Sequence, residues 1–231
     1  MDNAQQPIKI RISKLENLDQ LDKEIDALTV LYQECFNCAP NFDGYNKSEI
    51  YKIFKNYLHD GLVLLAHDIS SGDEKLVGYV ARVRPRGYSD DLESVFKKHI
   101  IRFNYKNTYI AAGVGVAKFY RGLGLAGLLM DEARRQIRVR YVLMDTQQDN
   151  IPSLISHQKS GYKMLEDIKP VTRRKRVNGT SLNLTYVFLV QDNGMFPWLN
   201  QKSDLPRVFD LIPKSKQMLT TPHNPEQANC L

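Results

Sequence analysis

Apolar and polar residues alternate along "PIKIRIS" near Ile8, the period of a strand with one buried face. Between Leu18 and Phe36 the spacing changes, and "LDQLDKEIDALTVLYQECF" carries its apolar residues at the 3.6-residue period of an amphipathic helix. A loop with Pro40 and Gly44 leads to "SEIYKIFKNYLHDG", a second helix with Ser48 as its expected cap and Gly61 as its stop. The runs "GLVLLAHDI" and "KLVGYVARV" flank "SSGDE" and predict an antiparallel hairpin. "TYIAAGVGVA" predicts a buried strand. Leu125, Leu128, Leu129, Ala133 and Ile137 then mark the apolar stripe of a helix, and "VRYVLMDT" predicts the next strand. Such a strand, helix, strand unit implies a right-handed crossover.

"IPSLISHQKSGY" predicts a short helix with Pro152 in its first turn and Gly161 at its end. "YKMLEDIKPV" and "LNLTYVFLVQ" predict two closing strands, joined across 173–182 with Asn178-Gly179 as the turn. Two segments break the pattern. Residues 85–107 are irregular, with "SDDLESVFKKHIIRF" as a short inserted helix, and loops of this length inside a compact domain are usually functional or mobile. From Asp192 the strand period stops, so 192–231, with its spread of prolines, reads as a tail that packs through Phe196, Trp198 and Phe209. The expected organisation is one α/β domain over 1–191, without internal repeats, followed by that tail.

Composition narrows the function classes. A chain of 231 residues with 42% hydrophobic content suits one sizeable core, and no apolar run reaches the ~20 residues that span a bilayer, so no membrane partner is expected. The first residues have no basic leader and no apolar segment, and three cysteines do not suit a secreted disulfide framework, so the expected compartment is cytoplasmic. The net charge of +6 favours anionic partners, yet its clusters at 82–86, 134–140 and 173–176 are read as solvated faces. With no zinc-finger spacing and no aromatic RNA-binding signature, nucleic acid is not an expected partner. Cys35 and Cys38 stand at Cys-x-x-Cys spacing without two further ligands at comparable spacing, so no metal is expected.

The informative stretch is "KFYRGLGLAGLLMDEARRQ". Glycines before a helix let backbone amides approach a phosphate, and the helix N-terminus adds a favourable dipole. Gly122, Gly124 and Gly127 fit a dinucleotide fingerprint, with Asp145 about 20 residues on as the ribose acid. Three points oppose that fit: "KFYR" separates the strand from the first glycine, several elements precede the loop, and "DNIPSLISHQKSGY" has no role in it. Gly127 then reads as a helix residue kept small for packing.

"VGVAKFYRGLGLAGLL" resembles the acyl-CoA-binding motif of the GNAT superfamily of N-acyltransferases, with Val116, Arg121, Gly122, Gly124, Leu125 and Ala126 at matching positions and Lys118 where a proline often stands. The family's second element, an Asn followed by a small residue, an aromatic residue and a Gly-aromatic pair, is matched by Asn150, Ser153, His157, Gly161 and Tyr162. The resemblance implies a mixed, mostly antiparallel central sheet flanked by helices, with 85–107 inserted between two strands. It implies an acetyl-CoA-dependent N-acetyltransferase in which an amine, on a small molecule or a protein, attacks the thioester directly in a ternary complex. The amides of Gly122, Leu123, Gly124, Leu125 and Ala126 would cradle the pyrophosphate, with Lys118 and Arg121 supplying charge and Val114 and Val116 pairing with the pantetheine arm. Asn150 and Ser153 complete the expected donor site. His157 replaces the family's usual tyrosine as general acid, with Tyr162 and Tyr120 as neighbouring alternatives. The strand before the loop has no acid, which leaves Asp145, Tyr109 or water as the base. A non-catalytic acyl-CoA sensor or interaction module is the alternative from a different class.

Overall fold

The protein is described by a computed structural model covering residues 7–37, 43–85, 106–165, 169–177, 180–194 and 205–211. Strand β1 (Ile8–Lys14) leads into α1 (Leu18–Phe36), whose cap Asn17 accepts from the Gln20 amide. Helix α2 (Lys47–Asp60) is capped by Asn46, not by Ser48: the Asn46 side chain accepts from the Glu49 amide at 3.1 Å, and Glu49 accepts from the Asn46 amide at 2.8 Å. This reciprocal capping box satisfies two donors that Ser48, one turn position inside the helix, could not.

The hairpin of β2 (Gly61–Asp68) and β3 (Lys75–Val83) follows, then β4 (Thr108–Val116), α3 (Leu125–Gln136), β5 (Tyr141–Gln147) and α4 (Ile151–Lys159). The chain closes with β6 (Lys163–Met164), β7 (Val171–Val177), β8 (Thr180–Asp192) and β9 (Arg207–Leu211). One expected closing strand is thus two, and 173–177, expected in a connection, continue β7. The inserted segment's expected helix, the Asn178-Gly179 turn, Cys38, Phe196 and Trp198 lie outside the described residues.

The nine strands among the described residues form one sheet in the order β6, β8, β5, β4, β3, β2, β1, β9, with β7 on β8. Only β4 and β5 run parallel, so the sheet is mixed and mostly antiparallel, as the resemblance implied. Alternation along β3 decides what each face holds. Tyr79 meets Tyr32 and Phe36 of α1 and Phe54 of α2, while a Cβ on Gly78 would meet Leu125 and Leu129 of α3. Helices α1 and α2 therefore cover one face and α3 the other. Within the expected tail, β9 pairs with β1 from Ile8–Leu211 to Ile12–Arg207, and Phe209 packs on the core. The strand is short and alternates half-buried with exposed positions, which is why its period is weak in the sequence.

Candidate acyl-CoA site

The site begins where two strands part. β4 bonds β5 only at Thr108, Tyr109 and Ile110, opposite Tyr141, Val142 and Leu143. Among the described residues, β4 beyond Ile110 keeps β3 on one side and has no strand on the other, while β5 continues against β8 alone. A bulge marks the parting: the β3–β4 register steps from Arg82–Ala111 to Ala81–Gly113, leaving Ala112 extra. A bulge of this kind bends its strand and strengthens its twist. The Tyr57 hydroxyl of α2 donates to the Ala112 carbonyl at 3.4 Å. Gly113 and Gly115 lie against the Tyr79 ring, and a Cβ at Gly115 would sit 2.6 Å from Tyr79 Cε1 and 3.3 Å from Cys35 Sγ. Glycine at this point brings β4 onto the aromatic layer.

At the end of β4 a single 3₁₀ turn, Lys118–Tyr120, sets up the glycine loop. Gly122 has φ +78° and Gly124, the cap of α3, has φ +87°, with no atom within 4 Å of a Cβ placed on either. Conformation requires glycine at both positions; space does not. The amides of 122–127 have no acceptor among the described residues, whereas those of Tyr120 and Arg121 close the turn. Six consecutive N–H groups thus stand open at a helix N-terminus. Arg121 Nε donates to the Val116 carbonyl at 2.9 Å, and the Lys118 amide donates to the Glu34 carboxylate of α1. Tyr120 donates to Asp68 Oδ2 at 2.7 Å, which ties the loop to β2; burial and that carboxylate push its hydroxyl up to about 12. A Cβ on Gly127 would meet only Ser160 Oγ at 3.9 Å, so tight packing does not explain that glycine.

Helix α4 begins with Asn150, whose side chain accepts from the Ser153 amide at 3.3 Å. Ser153 Oγ lies 3.3 Å from both Thr146 Oγ1 and His157 Nδ1. His157 Nδ1 is 2.7 Å from the Ser153 carbonyl, which can only accept, so Nδ1 carries the proton and Nε2 the lone pair. Burial first, and then the charge of Arg82, lower the imidazole to about 4. Tyr162 meets the His157 ring edge-on at 5.2 Å, and its buried hydroxyl has no partner among the described residues. Arg82 corrects the reading of 82–86 as a solvated face, since its side chain is among the most buried in the molecule. Its strand is otherwise apolar, and that context was the available signal.

The family model for the acetyltransferase (GNAT) family matches residues 25–162, which span β3, β4, the glycine loop and α4. The chain belongs to this family. It is accordingly an acyltransferase, and the dinucleotide fit of Gly122, Gly124 and Gly127 falls with the sheet, in which the loop follows β4 of a mostly antiparallel array. No curated protein sequence matches this GNAT acetyltransferase. Among solved structures, it is similar to NAA60 of Arabidopsis thaliana in complex with acetyl-CoA, at 17% identity and TM-score 0.60 over 80% of this chain. That alignment covers 99% of the plant protein. Ribosomal-protein-alanine N-acetyltransferase of Brucella melitensis aligns at 17% identity and TM-score 0.55, over 78% of this chain and 98% of that one. The ribosomal-protein-S18-alanine enzyme of Escherichia coli aligns at 12% identity and TM-score 0.52, over 80% and 95%. At such identities the likeness is one of fold.

In this GNAT domain the sequence-derived residues divide between the faces. Val83, Ile110 and Leu143 pair across three strands on the α1 and α2 face, and alternation along β5 puts Asp145 there too. Tyr109 lies on the opposite face under the Arg84 guanidinium, 4.3 Å from the ring centroid. Thr146, Ser153 and His157 share that opposite face with α4. Asp145 and His157 are therefore separated by the sheet. The sequence did not single out Tyr79, Tyr57 or Glu34, which shape β4 and the loop from α1, α2 and β3. Among the described residues no group of His, Cys, Asp and Glu suits a metal ion, and no helix is long and apolar enough to cross a membrane.

Proposed function

We propose that this enzyme is an N-acetyltransferase that moves the acetyl group of acetyl-CoA to a primary amine by direct attack in a ternary complex. The observation that carries the reading is the row of six open amides at the N-terminus of α3, continuous with a β4 edge that has no strand beside it. Open amides at a helix N-terminus suit a pyrophosphate, and an unpaired strand edge suits the amide groups of a pantetheine arm. In this reading the amides of Gly122 to Ala126 hold the phosphates, Lys118 and Arg121 add charge, and Val114 and Val116 pair with the arm. Asn150 caps α4 by accepting from the Ser153 amide, Ser153 Oγ faces Thr146 and His157, and in this reading the two residues complete the donor site at the start of α4.

Transfer forms one N–C bond and breaks the C–S bond, and the amine loses a proton. Asp145 lies on the face that α1 and α2 leave at β5, the better placed of the two base candidates. His157, neutral with its lone pair on Nε2, accepts a hydrogen bond near neutral pH instead of giving the thiolate a proton. Solvent then supplies that proton. The acceptor is an amine on a small molecule or a protein.

Gly124→Glu tests the loop. It places a carboxylate among the open amides, at a site with room for the side chain. Acetyl-CoA affinity should fall about tenfold or more by calorimetry, while the variant stays folded. Unchanged affinity in the folded variant would sink the loop assignment. Binding without release of CoA thiol across a broad amine panel would favour the sensor reading.

A further inference from the structure

Among the described residues Arg82 is a charge without a counterpart. Its side chain is 1% exposed, its one hydrogen bond reaches the carbonyl of its own neighbour Ala81 at 3.4 Å, and it joins no ion pair among the described residues. A guanidinium keeps its proton, so a buried one without a counter-charge is strongly disfavoured unless an anion comes to it. The Tyr162 hydroxyl is also buried and has no partner among the described residues. The charge of Arg82 acts on both Tyr162 and His157, which places the three groups in one neighbourhood. His157 is neutral there, so it does not compete for an anion.

The position of Arg82 gives the anion a source. It pairs with Ala111, the first residue of β4 past the last contact with β5, and so stands at the closed end of the split. Alternation puts its side chain on the same face as Gly78 and Val80, toward α3 and α4. The present inference rests on the acyl-CoA reading above. With phosphates at 122–126 and the arm following β4 back through Val116 and Val114, the acyl end arrives at Ala111. An acetyl group would offer the guanidinium only a methyl there. A four-carbon acyl group ending in a carboxylate would offer the missing anion.

We propose that Arg82 and the Tyr162 hydroxyl bind a carboxylate carried by one of the two substrates, in the first instance the far end of a dicarboxylic acyl group on CoA. Arginine suits this because its planar fork matches both oxygens of a carboxylate, and a phenol adds a third donor. The acetyl group is then the smaller and weaker member of the donor class.

The test is calorimetric titration of the full chain with CoA, acetyl-CoA and succinyl-CoA, in the natural protein, Arg82→Met and Tyr162→Phe. Succinyl-CoA should bind the natural protein about tenfold or more tightly than acetyl-CoA, the scale of one desolvated charge-assisted contact. Both substitutions should pull that ratio toward one and leave the affinity for free CoA in place. The ratio in the natural protein needs no variant to fold, and Tyr162→Phe removes only a hydroxyl. A second arm compares amino acids with their decarboxylated amines as acceptors. A donor ratio of one, with Arg82→Met raising KM for the amino acid alone, would place the carboxylate on the acceptor and uphold the site. A donor ratio of one with no change in either KM overturns the proposal while leaving the acyl-CoA reading intact. Failure of free CoA itself to bind overturns both.

Discussion

Two side chains give sharp expectations at the scale of single residues. Burial holds folded His157 at about 4, below the ~6.5 of an unfolded chain, so acid protonates the unfolded state first. The sign follows: its contribution is complete above about 6.5 and is lost as pH falls toward about 4, amounting to about 3 kcal/mol across that window. The urea midpoint of the natural protein should therefore drop over this range more steeply than that of His157→Gln; parallel curves would contradict it. Gly115→Ala tests the close approach of β4 to the aromatic layer. Its Cβ would meet Tyr79 at 2.6 Å, where the ring is wedged among Tyr32, Phe36 and Phe54, so about 1–3 kcal/mol should be lost in denaturant unfolding. Equal stability would mean that Tyr79 moves freely. Neither expectation was legible in the sequence. Motif spacing identified His157 as a residue of interest, but its protonation depends on Ser153 one turn earlier and on Arg82 from another strand, and neither is coded locally.

Elements were more legible than roles. Helix α1 has the bounds that its period predicted, and β2, β3 and α3 follow the apolar pattern, because each buries one strong face or a continuous run, whereas β4, expected as a buried strand, is mostly half-buried. Boundaries failed where chemistry outside the pattern decided them. Asn46 displaced Ser48 as cap through its exchange with Glu49, and β9 escaped notice because pairing, more than burial, makes it a strand. That strand is fastened to the helix that follows the glycine loop: Glu132 of α3, 1% exposed, accepts from Arg207 of β9 and from Arg135, each at 2.9 Å. Removing a buried carboxylate with two charged partners should cost about 1–3 kcal/mol. Glu132→Ala should therefore unfold at lower denaturant than Arg207→Ala, which leaves the Arg135 pair in place. Equal midpoints would assign the stabilisation to Arg207 alone.

At the scale of the molecule, a single irregularity organises the site. A sheet antiparallel at every other junction has one parallel pair, that pair parts after three residues, and the glycine loop opens at the far end of the freed strand. The motif in the sequence pointed to the loop, but the parting itself depends on the bulge at Ala112 and the register against β3, which no spacing rule encodes. The pairing of β1 with β9 has a consequence for the chain's connectivity. Ile8 and Leu211 sit opposite each other on neighbouring antiparallel strands, within the reach of a few residues. The protein should therefore tolerate circular permutation, with Leu211 joined to Ile8 by a short glycine-serine link and new ends opened in the exposed turn at Ser71 and Gly72. A permutant with native circular dichroism and unchanged acetyl-CoA affinity would establish that the order in which these strands are joined is dispensable to the fold.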